Sequence, residues 1–441
     1  MRKPIDNMDT FARRRRLLAE KAKGSAIILP SHPEKIRNND VHHPYRQDTN
    51  LYYLTGWEEP DSVFVFRPGQ TPETVMFVRP KDVERETWDG FRYGPASCAQ
   101  EFRIDKTYLI SEFDKQIVEL LKPVDRVYYH FNVDKEFDQN LLMLLDHVKR
   151  SHGRTGRGHL PLLDSWELIG ELRVLKTADD VEAMRKACVV TARAHVDVMK
   201  AAKPGLTERQ LLGVFLGSIY RQNADREGYG SIVASGANAC TLHYVFNDQT
   251  CRDGDLLLID AGAEVRHYTG DITRTFPLNG KFTAPQRKVY DRVLEVQKHL
   301  FTLAKPGTAF KTLQETTVEL LTDAMIDLGL IKAKRKDAID LQLYKKYYPH
   351  GVSHYLGMDV HDTGLYQTIG DSSVSRVLEP GIAFTIEPGL YIPASDMDAP
   401  EELRGIGVRI EDDVIVTATG CENMTAEAPK EVSELEAIIG R

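Results

Sequence analysis

Four carboxylates interrupt segments that otherwise read as buried strands, and no other feature of the 441-residue sequence constrains its fold as tightly. Asp255 to Ala261 is an apolar run in which Asp260 falls where packing should continue. Gly262 turns the chain, and Gly270 to Phe276 reads as the returning strand, with Asp271 and Thr273 on one face by the period of two. The pattern recurs: Ile382 to Ile386 is β-rich and runs into Glu387. Gly407 to Glu411 then places Arg409 and Glu411 on one face and Val408 and Ile410 on the other. An unpaired buried carboxylate costs several kcal/mol, which is comparable with the whole stability of a domain. These four must face water, be neutralised, or bind cations.

Histidines decide among those outcomes. His350, His354 and His361 fall within twelve residues, spaced by Gly351 and Gly357, and His243 stands in Thr241-Leu242-His243-Tyr244. Glycine-spaced imidazoles suit a site that needs close backbone approach. The lone His195, His267 and His299 read as core residues. Four carboxylates balance two divalent cations, with one neutral imidazole as a fifth ligand. Hard oxygen donors with a single histidine favour manganese over a closed thiolate zinc site, with cobalt or zinc as alternatives. Two such ions about 3.5–4 Å apart can hold a bridging hydroxide for hydrolysis.

The acidic strands belong to a weak internal repeat. A capping box at Thr177 and Asp180 opens a long helix that ends at Ala202-Lys203-Pro204-Gly205, and Thr207 with Gln210 opens its partner. About a hundred residues on, a helix opened by Thr283 and Gln286 ends at Ala304-Lys305-Pro306-Gly307, with Thr312 and Glu315 expected to open the next. Each helix pair precedes an acidic strand pair, so the expectation is a duplicated α+β half. Before it, Ser25 to Leu29, Ser62 to Phe66 and Thr74 to Val78 read as buried strands among helices. Ser151 to Pro161 reads as a loop. The domains expected are 1–174 and 175–441.

A content of 42% apolar and 28% charged residues describes a globular chain able to build its own core. The net charge of −8 gives no field to draw in nucleic acid or an anionic membrane. The one basic run, Arg13 to Arg16, reads as the solvated face of a helix. Met1 to Asp6 is followed by no apolar stretch and nowhere do 18 apolar residues run together, so neither a signal peptide nor a membrane span is expected. Five scattered cysteines without a Cys-x-x-Cys pattern suit a reducing cytoplasm.

These residues resemble a known family. Leu258 to Gly262, Gly270 to Phe276, His350 to Gly357 and Gly405 to Asp413 are similar to the motifs of the pita-bread metallopeptidases, peptidase family M24. Arg37 to Asp40, Pro44 to Asp48 and Leu54-Thr55-Gly56 resemble the N-terminal domain of the aminopeptidase P branch. The implied fold is an α/β creatinase/prolidase-type domain followed by an α+β pita-bread catalytic domain with an internal pseudo-twofold repeat. The implied activity is release of the N-terminal residue from peptides with proline in second place, as an Xaa-Pro aminopeptidase. An Xaa-Pro dipeptidase is the alternative, and a non-catalytic peptide-binding module a more distant one. Ser353 and the short segment from His361 to Glu387 favour the first.

The resemblance also implies roles. Asp260 would chelate one metal, Asp271 and Glu411 bridge both, and His354 with Glu387 complete the second. A bridging hydroxide would attack the carbonyl before proline, with Glu387 as proton shuttle, His243 near the oxyanion and His361 orienting the carbonyl. Tyr229, His350 and Arg409 would serve the substrate side, with Asp40 and Trp88 closing the cleft from a loop of the N-terminal domain. A homotetramer (dimer of dimers) or homodimer follows from that layout. The arginine implied near the end of the N-terminal domain falls among Arg154 and Arg157, and Val374 occupies a place where relatives can carry a further arginine beside Arg376.

Overall fold

A computed structural model describes residues 7–440, and the chain divides into two units between Leu172 and Arg173. The N-terminal hexapeptide lies outside the described residues.

In the first unit, the apolar runs form the centre of a six-stranded mixed sheet. Ser25–Pro30 pairs antiparallel with Val63–Phe66, which pairs antiparallel with Thr74–Val78. Lys106–Leu109 extends one edge, and Arg126–Tyr128 with Leu162–Leu163 extends the other, all in parallel. Helices Phe113–Leu121 and Lys135–Ser151 turn apolar faces onto the sheet, burying Ile117, Leu121, Leu141 and Leu145.

The basic run departs from expectation. On helix Met8–Lys21, Arg14 and Arg15 are buried, Arg13 is half-buried, and of the run only Arg16 is exposed. Arg14 donates to the Tyr53 carbonyl at 3.0 Å and Arg15 to the Leu54 carbonyl at 2.7 Å. These carbonyls end helix Thr49–Thr55 and have no partner within it, so the guanidinium groups cap a helix terminus that attracts cations.

The second unit repeats one motif. Helices Ala178–Ala201 and Glu208–Arg221 precede the antiparallel strands Ile232–Ser235, Leu256–Ala261 and Ile272–Pro277. Helices Ala284–Leu303 and Phe310–Asp327 precede Ala383–Ile386, which pairs with Asp412–Val416, and Gly389–Tyr391, which pairs with Gly407–Arg409. The capping boxes at Thr177, Thr207 and Thr283 are all formed. Thr312 opens no helix. Phe310–Asp327 starts earlier, at Ala309, because tertiary partners cap it: Phe310 N–H donates to the Arg376 carbonyl and Lys311 N–H to Ser375 Oγ.

One apolar core runs through both halves. Arg274 ties them together, fully buried, donating to Asp412 Oδ1 at 2.6 Å and to the carbonyls of Thr273, Ala428 and Pro429. His195 and His267 are buried as expected, whereas His299 is exposed on its helix. All five cysteines are free; three are buried and Cys240 and Cys421 are half-buried. Among the described residues no helix is long and apolar enough to cross a membrane.

Candidate active site

Strand register brings the first two carboxylates together. Asp260 sits opposite Thr273 in the ladder, and Asp271 stands just before that returning strand. The turn between them demands glycine at one point: a Cβ on Gly262 would lie 1.8 Å from the Gly270 carbonyl oxygen. Tyr229 Oη lies 2.7 Å from Asp260 Oδ1 and 2.5 Å from Asp271 Oδ1.

In the second half, the segment carrying His354 runs beside the strand that leads to Glu387. Thr385 N–H donates to the His354 carbonyl and Glu387 N–H to the Val352 carbonyl. His354 Nε2 thereby faces Glu387 Oε1 at 3.6 Å, Asp271 Oδ2 at 3.4 Å and Glu411 Oε1 at 3.9 Å. Its Nδ1 lies 3.0 Å from the Tyr355 carbonyl, a contact that places the proton of the neutral ring on Nδ1 and makes Nε2 the atom that would meet a cation. Gly407 to Glu411 is not one continuous strand. After Arg409 the chain switches ladders, and Glu411 N–H instead donates to the Thr273 carbonyl, which swings Glu411 toward Asp271.

Ligand atoms of Asp271, His354 and Glu411 all lie within 4.8 Å of one another. Burial pushes the carboxyls of Glu387 and Glu411 above the usual range, and the neighbouring carboxylates push the same way. Burial opposes a charge on His354, but Asp271 and Glu387 prevail and raise it to about 9. Among the described residues, Arg409 is the one Lys or Arg lining the cavity. It donates to Asp260 Oδ2 at 2.6 Å and Thr273 Oγ1 at 3.0 Å. One guanidinium cannot offset four carboxylates, and an imidazole nitrogen directed at three of them completes an oxygen-rich donor set. The residues present fit divalent cations.

A cavity of about 520 Å³ surrounds this cluster. His243, His350, His361 and Tyr229 line it together with the five clustered residues and Arg409. His361 packs edge-on against His354, ring centres 4.5 Å apart. Its loop has no strand or helix and is tied down by Asp359 and Asp362, which pair with the buried Arg173 and Lys176. Burial and Arg409 lower His350 to about 4, so its ring is neutral, with Nε2 2.8 Å from Tyr391 Oη.

Asp40 and Trp88 lie in the N-terminal unit and are exposed. Asp40 sits at the turn between Ile36–Asn38 and Val41–His42, and Trp88 shows 81% of its surface. Trp88 is not on a loop: it falls in the last turn of helix Val83–Asp89, which Asp82 caps through the Arg85 N–H. Arg157 donates to the carbonyls of Lys122 and Val124 in its own unit, whereas Arg154 is exposed.

Sequence reasoning missed Tyr391, which donates to His350 and accepts from Arg409 Nη1 at 3.0 Å. Period two from Glu387 through Gly389 would have placed it on the same face. It also missed Asp413, whose Oδ2 accepts from the Asp271 N–H at 2.8 Å and from Cys188 Sγ at 3.3 Å. No local pattern marks that contact. The apolar wall of Ile232, Leu242, Val245 and Val360 was likewise not singled out.

A duplicated α+β fold around clustered carboxylates and one histidine defines a metallopeptidase. Residues 182–418 match metallopeptidase family M24, and residues 11–128 match the aminopeptidase P N-terminal domain, so the chain belongs to family M24. Within it, the chain is similar to several Xaa-Pro aminopeptidases. It is 38% identical to the Xaa-Pro aminopeptidase of Escherichia coli, covering 97% of each sequence. The solved aminopeptidase PepP of Pseudomonas aeruginosa superposes with a TM-score of 0.94 at 41% identity, covering 98% of each chain. A zinc-substituted Escherichia coli aminopeptidase P in complex with product gives 0.93 at 37% identity, again over 98% of each chain.

Proposed function

We propose that this chain is a metal-dependent aminopeptidase that releases the N-terminal residue from peptides with proline in second position. The observation that carries this reading is the convergence of Asp260, Asp271, His354, Glu387 and Glu411 on one cavity, in a chain so similar over its length to Xaa-Pro aminopeptidases. Those five residues would hold two divalent cations, manganese by preference, which would supply charge compensation and an activated water.

The remaining roles fall to the chain's own groups. Glu387, half-buried and with its proton affinity raised, takes the proton of the attacking water and passes it to the prolyl nitrogen. His243 directs its ring toward the oxyanion, and His361 orients the substrate carbonyl. The neutral His350, held from behind by Tyr391, forms a wall for the prolyl ring. Arg409 and Tyr229 hold Asp260 in place from opposite carboxylate oxygens. An imide before proline has no N–H to offer, so the bond must be recognised by a pocket rather than by strand-like pairing.

Asp40 and Trp88 are assigned to limiting the amino end of the substrate, across subunits of a homotetramer or homodimer, in a cytoplasmic enzyme whose catalytic work lies in 175–441. The test compares an Xaa-Pro-Xaa tripeptide with an Xaa-Pro dipeptide in the presence of manganese. Release of free Xaa and Pro-Xaa from the tripeptide, with slow dipeptide turnover, is the expected result. Preference for the dipeptide would make the chain a dipeptidase, and no cleavage of either would refute the enzymatic reading.

A further inference from the structure

We propose that Glu208 is a positioning residue for catalysis, fixing the loop that carries His243 into the cavity. The proposal rests on the role given to His243 above. Between strands Ile232–Ser235 and Leu256–Ala261 the chain forms only one short 3₁₀ turn, Gly236–Cys240, and residues 241–248 belong to no helix or strand. Yet Leu242, His243 and Val245 from this stretch line the cavity. His243 itself is exposed, so core packing does not hold its ring in place.

Glu208 supplies the constraint that reaches the residue beside His243, while Asn247 anchors the far side of the loop by accepting from Val233 N–H at 2.7 Å and donating to the Ser231 carbonyl at 2.9 Å. It is the first residue of helix Glu208–Arg221 and is fully buried. Its Oε1 accepts from Ser235 N–H at 2.8 Å, Ser235 Oγ at 2.8 Å and Asn238 Nδ2 at 2.9 Å. Its Oε2 accepts from Tyr244 Oη at 2.8 Å and Gln249 N–H at 3.0 Å. These donors come from the start, the middle and the end of the loop, and Tyr244 directly follows His243. Five donors fill the acceptor capacity of a carboxylate, which leaves none for a ligand. The helix N-terminus favours negative charge at this place. The carboxylate therefore sets geometry, and a glutamine could not replace it, because its amide would set a donor against donors.

The test uses Glu208→Gln and the milder Tyr244→Phe, which deletes one donor and keeps the ring, each alone and combined with His243→Ala. In Glu208→Gln the amides of Ser235 and Gln249 should exchange at least about tenfold faster. Metal content should match wild type in both single variants. Turnover of the tripeptide should fall about tenfold or more with KM within about twofold, because a misplaced ring loses an interaction made in the transition state. Neither substitution should cost anything further in the His243→Ala background. Should Glu208→Gln not fold, Tyr244→Phe carries the same comparison. Additive losses in an active protein, or wild-type turnover in Tyr244→Phe, would overturn the proposal alone. A wild-type chain inactive on the tripeptide would overturn the functional reading, and this proposal with it.

Discussion

Thr273→Val isolates how the site is braced. Thr273 is fully buried, and its hydroxyl donates to Glu411 Oε2 at 2.6 Å while accepting from Arg409 Nε at 3.0 Å. Valine keeps the shape and removes both bonds. Each joins a neutral hydroxyl to a charged group, a class worth roughly 1.5–3 kcal/mol. Arg409 keeps its bonds to Asp260 and Tyr391, so the loss should sit near the low end for two such bonds, about 3 kcal/mol. Glu411 would also lose the group that aims it, and partners of this kind are worth about 10–100-fold in metal affinity. Urea unfolding of the chain stripped of metal reads the first quantity, and calorimetric manganese titration the second. Thr275→Val is the control. Its hydroxyl lies on the same face of the strand but meets only the backbone of Arg409, at 3.0 and 3.2 Å. That variant should lose stability and keep its metal affinity. If Thr273→Val binds manganese like wild type and unfolds within about 0.5 kcal/mol of it, the size of a neutral surface change, the bracing argument is wrong.

Other outcomes follow from the same geometry. Asp271→Asn should abolish turnover and weaken metal binding, since an amide supplies no charge to the cluster, whereas His361→Ala should lose turnover and keep its metals; loss of metal from His361→Ala would return that residue to the ligand set. In the chain stripped of metal, His354 is raised to about 9 by Asp271 and Glu387 against the opposing effect of burial, and Glu387 and Glu411 are raised by burial. Cation binding must displace those protons, so metal affinity should rise as pH increases from about 6 to 8. Calorimetry in buffers of different ionisation enthalpy should detect proton release, and its absence would contradict these protonation states. Trp88→Ala should raise KM for short peptides and leave stability within about 1 kcal/mol, as its exposure requires; an unstable variant with normal kinetics would show instead that Trp88 supports its own unit.

What could be read in the sequence was local. Asp260 betrayed itself as a charge inside an apolar run, and Thr177, Thr207 and Thr283 announced their helices through partners three residues on. Where the partner is distant, the reading failed. Ala309 opens its helix because backbone and side-chain groups at 375–376 satisfy the first N–H donors, and nothing near Ala309 in sequence says so. Arg14 and Arg15 looked solvated because the carbonyls that hold them lie 39 residues away. The break between Arg409 and Asp412 has the same origin, since two different ladders claim the residues on either side. Clustered charge was legible. The groups that aim it, Thr273, Tyr391, Asp413 and Glu208, are ordinary polar residues until the fold supplies their partners.

The central claim is that five converging side chains form a two-cation hydrolytic centre. A single titration addresses it: manganese is added to the metal-stripped full-length chain while bound metal and tripeptide turnover are followed together. The account predicts saturation at about two ions per chain, the number four carboxylates and a neutral imidazole balance, with turnover rising as the sites fill. A folded chain that takes up no manganese at micromolar concentration, or that cleaves Xaa-Pro-Xaa at full rate without it, would contradict the account.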